Sequence, residues 1–164
     1  MAIERPDGRG RTEQVSLDSA AKHLLEECRM VLPGIQALFG FQLIAVFNDG
    51  FEEKLSGPQQ LLHYAAIVLI TIAIALVMAP AAIHRQTSQR EVSERFIWRA
   101  SQFLLASMLP LAVAVSLEVY LVGVVIGLAE ALAIAWAALI LAAFLCLWMA
   151  FPLWERRHTP RQKR

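Results

Sequence analysis

Three ionisable side chains, His63, Glu118 and Glu130, stand in segments of the sequence that are otherwise strongly apolar. An imidazole beside a carboxylate can hold and exchange a proton, and carboxylates can also bind a small cation. Ionisable groups in long apolar segments are costly to bury, so they often belong to proton or ion pathways. These residues are therefore the candidate proton or cation site. The alternative is that both carboxylates reach water at the membrane surface and have no function.

No other pattern in the sequence predicts catalysis or a cofactor. The motifs GxSxG and HExxH, the phosphate-binding loop, the dinucleotide fingerprint and the EF-hand loop do not occur in it. Cys28 and Cys146 lie far apart, match no metal spacing and are interpreted as small apolar residues. We therefore expect no enzyme activity, no cofactor and no metal. A net charge of +1 gives no indication of a nucleic-acid partner.

Long apolar segments determine where the three ionisable residues lie. Of the 164 residues, 57% are hydrophobic. Residues 100–154 contain neither Lys nor Arg, and this stretch is long enough for two membrane crossings of about 20 residues each. In all, four spans are predicted, at about 30–47, 61–83, 99–120 and 128–151. The pattern is typical of an all-α polytopic membrane protein with a bundle of four transmembrane helices.

The segments outside the spans are polar. Residues 1–15 are predicted to be a disordered tail, 16–154 a single membrane domain and 155–164 a basic tail. From Leu17 onward, apolar residues recur at helical spacing. This predicts an amphipathic N-terminal helix that lies on the inner membrane surface or leads directly into the first span. Pro33, followed by a glycine, is expected to kink or break that span.

Small and polar residues predict how the helices pack. Gln42 and the neighbouring glycine and alanine residues favour a first span that lies inside the bundle. Ala129, Ala133 and Ala137 form a stripe at four-residue spacing. We expect this alanine-rich face to be exposed and available for association.

Turn signals separate the spans. Gly123 and Gly127 match a helix-dimerisation spacing, but they straddle the predicted third loop, which favours a turn. Residues 48–60 read as a loop that ends in a capping box at 56–59, and a second capping box lies at 88–91.

Positive charges determine the predicted orientation. Of the 15 Lys and Arg residues, all but Lys54 fall in the N-terminal segment, the second loop or the C-terminal segment. Segments rich in Lys and Arg stay in the cytoplasm. We therefore expect an inner (plasma) membrane protein with both termini in the cytoplasm. This topology places His63, Glu118 and Glu130 at similar depth on the outer side.

A basic cluster is expected on the cytoplasmic side. It consists of Arg29, His84, Arg85, Arg95 and Arg99. Basic residues beside membrane spans attract anionic headgroups, so Arg29, His84, Arg85 and Arg99 are candidate anionic-lipid contacts. The alternative is that these residues act only as topology signals.

Two segments resemble a known family. LLEECRMVLPGIQALFGF (24–41) and MAPAAIHR (78–85) are similar to segments of an uncharacterised family of small bacterial integral membrane proteins, catalogued as a domain of unknown function. The resemblance covers roughly residues 20–150 and implies a four-helix membrane protein of bacterial origin. Gln42 stands where the family pattern favours an apolar residue. The resemblance implies no catalytic or binding residues.

The sequence leaves two functions open. The first is a non-enzymatic membrane module that acts in the lipid bilayer as a homo-oligomer or through another membrane protein. The alternative is a small transporter or channel subunit that uses His63, Glu118 and Glu130 as an outer proton or cation site. A membrane-embedded enzyme, a third possibility, has no supporting motif.

The topology can be tested with reporter fusions. A reporter that is active only in the cytoplasm is expected to work at the C-terminus, because the basic residues hold that end inside. A reporter that is active only outside the cytoplasm is expected to work when inserted in the loop at 48–60. Activity of the second reporter at the C-terminus would contradict the predicted orientation.

Overall fold

Every regular element that the structure describes is helical. The computed structural model describes residues 8–48, 50–86, 94–152 and 154. The elements are α1 (Gly8–Val46), α2 (Gly50–Lys54), α3 (Gly57–Gln86), α4 (Glu94–Val125), α5 (Glu130–Leu145) and a π-helical turn (Cys146–Ala150) that continues α5. Four segments are long and apolar enough to cross a bilayer, at Leu17–Val46, Gly57–Gln86, Glu94–Val125 and Glu130–Ala150. This confirms the all-α class with four candidate transmembrane helices.

The first helix is longer than a membrane crossing requires. α1 has 39 residues, which corresponds to about 58 Å of helix, whereas the hydrocarbon core is about 30 Å thick. Its amphipathic part therefore leads directly into the first span. α1 begins at Gly8, within the segment predicted as a tail. Residues 1–7 and 155–164 lie outside the described ranges, and the division into two tails and one domain stays a prediction.

Pro33 lies inside α1 and does not end it, so the predicted break is wrong. Proline lacks an N–H group and removes one helical hydrogen bond. Membrane helices nevertheless tolerate proline, and the exposed position of Pro33 keeps its ring away from the neighbouring helices. A bend of the helix axis near Pro33 stays a prediction.

α3 and α4 form the central pair of the structure, and the other two long helices flank them. α1 packs on both α3 and α4, whereas α5 packs on α4 and makes at most marginal contact with α1 and α3. The core between the helices contains many small side chains, among them Ala66 of α3 and Ala100 and Ala114 of α4. Such residues let helix backbones approach closely where no water drives association.

α1 contacts its neighbours along one stripe only. Its buried residues recur at spacings of three, four and seven: Ala21, Leu24, Cys28, Ile35 and Gln42. Leu32 and Phe39 are partly buried beside this stripe, whereas other large apolar residues, including Phe41 and Met30, are exposed. α1 therefore flanks the bundle, and the expectation that it lies inside is correct for this stripe alone.

The turn between α4 and α5 has the hydrogen bonds of a Schellman motif. Leu128 N donates to Gly123 O at 3.0 Å, and Gly127 N donates to Val124 O at 2.9 Å. Gly127 has a φ of +82°, a conformation that glycine adopts without steric cost. The Gly123–Gly127 spacing therefore belongs to a turn, as predicted.

The alanine stripe of α5 faces inward, so the expectation of an exposed stripe is wrong for its centre. Ala133 is 1% exposed, and a Cβ atom added at Gly123 would lie 2.9 Å from the Ala133 Cβ. Ala137 is half-buried, whereas Ala129 is exposed. Ala133 thus packs α5 against α4, and the stripe is exposed only at its N-terminal end.

The first loop contains structure that the sequence did not predict. The five-residue helix α2 interrupts it. The capping box at its end is confirmed, because Ser56 N donates to Gln59 Oε1 at 2.9 Å, just before α3 begins. The second predicted capping box, at 88–91, lies outside the described residues.

The α4–α5 contact can be tested with glycine substitutions. Gly123→Ala is expected to lower the thermal stability, because overpacking a tight contact costs about 1–3 kcal/mol. Gly40→Ala is the matched control, since it also lies within a long helix but has nothing within 4 Å of the added Cβ. The control should be neutral or gain up to about 1 kcal/mol from helix propensity. Equal melting temperatures of the two variants in detergent would contradict the tight contact.

Candidate functional site

The topology brings one polar residue from each of three helices to the same end of the protein. His63 lies six residues into α3, Glu118 lies seven residues before the end of α4, and Gln42 lies four residues before the end of α1. At about 1.5 Å per residue, these offsets are about 6–11 Å. We call this the outer end and the opposite one the inner end, according to the predicted topology.

One carboxylate oxygen joins these residues. His63 Nδ1 lies 3.0 Å from Glu118 Oε1, and Gln42 Nε2 donates to the same Oε1 at 3.0 Å. On the other side of the imidazole, His63 Nε2 lies 3.0 Å from the backbone oxygen of Gln42. The side chain of His63 is 4% exposed and that of Glu118 is 24% exposed. We call this arrangement the Gln42–His63–Glu118 cluster.

The contacts of His63 indicate which atoms of the cluster carry hydrogens. A backbone carbonyl only accepts hydrogen bonds, so His63 Nε2 carries a hydrogen and donates it to Gln42 O. Nδ1 then either carries a second hydrogen and donates it to a carboxylate, or accepts one from a protonated Glu118. Both arrangements contain the same number of protons and have no net charge. In either arrangement, one proton lies between Nδ1 and Oε1.

Glu118 suits this position because one of its oxygens can play both roles. As a carboxylate, Oε1 accepts from Gln42 and from His63. As a carboxylic acid, the same oxygen accepts from Gln42 and donates to His63. A glutamine oxygen at position 118 would accept from Gln42 but could not donate to His63 Nδ1, and a glutamine NH₂ group would suit both neighbours only if the Gln42 amide turned over.

A loop covers the cluster on its outer side. The ring of Phe51 in α2 meets the His63 imidazole edge-on, with 5.1 Å between ring centroids. Leu55, directly after α2, is buried, and Gln60 Nε2 donates to its carbonyl at 2.9 Å. This cover reduces the contact of His63 with water, while Glu118 stays partly accessible.

Glu130 does not join the cluster. Within the described part of the chain, its carboxylate meets the Tyr120 hydroxyl, which donates to Glu130 Oε1 at 3.5 Å. Gln59 Nε2 lies 3.5 Å from the same hydroxyl. Both distances are at the upper limit for a hydrogen bond, and Glu130 is exposed. Of the three predicted residues, the structure therefore brings His63 and Glu118 together and leaves Glu130 at a wetter rim.

Gln42 also carries an unpaired atom. Its Oε1 is buried and has no hydrogen-bond partner among the described residues. Flipping the amide would turn this oxygen toward Glu118 Oε1 and remove the donor that Glu118 contacts. An unpaired buried acceptor costs about 1–3 kcal/mol. Buried polar atoms in folded proteins rarely lack a partner.

Sequence reasoning assigned Gln42 to helix packing and not to the site. The available signal was an amide within an apolar span, where the resembling family favours an apolar residue. No sequence pattern pointed to Phe51, Gln59 or Tyr120 as part of the site. Their contacts depend on how the first loop folds.

The predicted basic cluster divides in two at the inner end. Arg29 of α1 and His84 and Arg85 of α3 line a cavity of about 700 Å³ between these helices. Arg95 and Arg99 of α4 are exposed and are not among its lining residues. Contact of any of these residues with anionic lipid stays a prediction.

The dual role of the Glu118 oxygen can be tested by substitution. Glu118→Gln should weaken the cluster, because its amide suits both neighbours only if the Gln42 amide turns over, whereas Glu118→Leu should leave two neighbours unpaired at a cost of about 1–3 kcal/mol for each. We therefore expect the melting temperature to fall from wild type to Glu118→Gln and further to Glu118→Leu. Glu130→Gln is the control and should stay within about 0.5 kcal/mol of wild type. If Glu118→Leu were as stable as wild type, the cluster would not hold the helices together.

The comparisons with known proteins agree with the resemblance seen in the sequence. The model of a family described as "Family of unknown function (DUF6328)" matches residues 10–152. No curated protein and no solved structure matches the chain. The match spans the four long helices and both residues of the His63–Glu118 pair. The protein is therefore a member of the DUF6328 family, a family of unknown function.

Proposed function

We propose that this protein is a non-enzymatic membrane module that binds a proton at its outer end, between His63 and Glu118. The observation that carries the proposal is the 3.0 Å contact of His63 Nδ1 with Glu118 Oε1, with Nε2 held by a carbonyl of α1. Buried ionisable pairs in transmembrane helices are expensive and commonly functional.

A proton fits the pair better than a metal ion does. A cation between Nδ1 and Oε1 would have to separate two atoms that are already in hydrogen-bond contact. Within the described residues, no three His, Cys, Asp or Glu side chains gather as a metal site would require. A proton needs only the two atoms and the lone pairs they already direct at each other.

Protonation should affect how α1 is held. Removing the shared proton leaves the lone pair of Nδ1 facing a carboxylate, and adding a proton leaves an uncompensated charge in a buried site. Either change weakens the contacts through which His63 and Glu118 bind Gln42. The cluster thus links the proton count at the outer end to the packing of α1 on α3 and α4.

The helices below the cluster favour a one-sided site over an open channel. Two serine hydroxyls of α4 are used within the helix, since Ser116 donates to Ala112 O at 2.8 Å and Ser107 donates to Leu104 O at 2.6 Å. Ala66 and Ala114, at the helix contact, are fully buried. These two serines therefore offer no free hydroxyl hydrogen to a proton moving inward in this conformation.

Transport stays the second candidate, supported by the same pair. A transporter moves its site between the two sides, and this conformation would be its outward-facing or occluded state. Action through self-association or a membrane partner also stays a prediction. It is compatible with the proton site, because most of α5 outside its contact with α4 is exposed.

The proton site can be tested by ¹⁵N NMR on a protein in which His63 is the only histidine. His23, His84 and His158 are replaced by Gln, and the labelled protein is placed in lipid nanodiscs. We expect an Nε2–H group in His63, and in Glu118→Gln the ¹⁵N shift of Nδ1 at neutral pH should change, because an amide replaces the carboxyl group in contact with it. Glu130→Gln is the control and should give the same Nδ1 shift as the parent.

Two outcomes separate the possibilities. Identical Nδ1 shifts of His63 in the parent and in Glu118→Gln would exclude a shared proton. If the shifts differ, proton flux in proteoliposomes that is lost in Glu118→Gln would assign a transporter, and no flux would assign a one-sided proton-binding module.

A further inference from the structure

We propose that the cavity between α1 and α3 at the inner end binds one anionic phospholipid, with its phosphate at Arg29 and Arg85 and an acyl chain along the apolar wall below them. We call this cavity the inner groove. This proposal is independent of the proton site, which lies at the opposite end of the same helices.

The inner groove has the size and the lining of a site for an amphiphile. Its volume is about 700 Å³, within the range of roughly 300–1,000 Å³ for small-molecule sites. Leu25 and Leu32 of α1 face Val77 and Met78 of α3 across it. Leu25 and Leu32 are half-buried, whereas Arg29 and Arg85 are exposed. The groove is therefore apolar inside and opens to the surface beside its two arginines.

The charges around the groove select an anion. Its lining residues include two arginines and a histidine but no Asp or Glu. Neither Arg29 nor Arg85 forms an ion pair within the described part of the chain. Glu26 and Glu27 follow Leu25 on α1 but do not line the groove, and Glu26 lies 3.6 Å from His23. The arginines are thus available to a ligand, and guanidinium groups bind phosphate with good geometry.

One local feature disfavours anion binding in the inner groove. Arg85 lies in the last turn of α3, and a helix C-terminus carries about half a negative charge. Arg85 itself offsets this partial charge, and Arg29 from α1 supplies the net attraction. Both arginines are therefore needed, which gives the proposal a sharp test.

The position along the helices favours a lipid over a free anion. Arg29 and Arg85 flank the apolar cores of their spans, where the predicted topology puts the cytoplasmic headgroups, and basic residues there attract anionic lipids. A free phosphate would contact only the arginines and leave the apolar wall without a partner. A phospholipid fills both parts of the groove.

Native mass spectrometry of the purified protein can test the proposal. The protein is titrated with phosphatidylglycerol and, in parallel, with phosphatidylcholine of the same acyl chains. We expect tighter binding of phosphatidylglycerol, and a loss of affinity on the order of ten-fold in Arg29→Gln/Arg85→Gln. The matched control is Lys22→Gln/Arg95→Gln, which removes the same charge from exposed positions toward the same end but outside the groove lining, and should keep wild-type affinity.

A third variant separates the acyl chain from the headgroup. Ala82→Phe narrows the groove without changing its charge, because Ala82 is part of the lining, and it should also weaken binding. The proposal is overturned if Arg29→Gln/Arg85→Gln binds like wild type, or if the control pair loses as much affinity. It is also overturned if inorganic phosphate displaces the lipid at equal concentration, since the apolar wall would then contribute nothing.

Discussion

A single oxygen atom, Glu118 Oε1, holds three of the four long helices together. It contacts Gln42 of α1 and His63 of α3 while belonging to α4. In water such contacts contribute little, because each group could bind solvent instead. Inside a bilayer no water is available, and polar groups must be satisfied by other helices. α1 buries only a narrow stripe, so this polar contact is a substantial part of what holds its outer half.

α5 is held against α4 by close packing and not by buried hydrogen bonds. Gly123 lets α4 approach Ala133 so closely that a methyl group at Gly123 would meet it at 2.9 Å. The Schellman turn at Gly127 then returns the chain directly into α5. The polar link that the described residues show across this contact, from Tyr120 to Glu130, is long and exposed. The bundle therefore combines a polar junction of α1, α3 and α4 with a steric junction of α4 and α5.

The two ends of the structure carry different functional groups. At the outer end, a carboxyl group and an imidazole lie 3.0 Å apart beside a short covering helix. At the inner end, α1 and α3 separate around an apolar groove that carries arginines. From His63 to Arg85 there are 22 residues of α3, about 33 Å of helix, so the two sites are separated by about the thickness of the hydrocarbon core. The same basic residues that determine the predicted orientation also line the inner groove.

The sequence by itself determined the all-α class, the four spans, the cap at Ser56, the turn at Gly127 and the similar depth of His63 and Glu118. These features depend on local patterns and on helix order, which fix how deep each residue lies in the membrane. Depth alone could not separate Glu118 from Glu130, since that distinction depends on which way each side chain points around its helix. Tertiary structure also decided that α1 runs unbroken through Pro33, that Ala133 faces inward and that Gln42 belongs to the site. Each of these depends on the rotation of one helix against another, and that rotation is set by the packing of all the helices together.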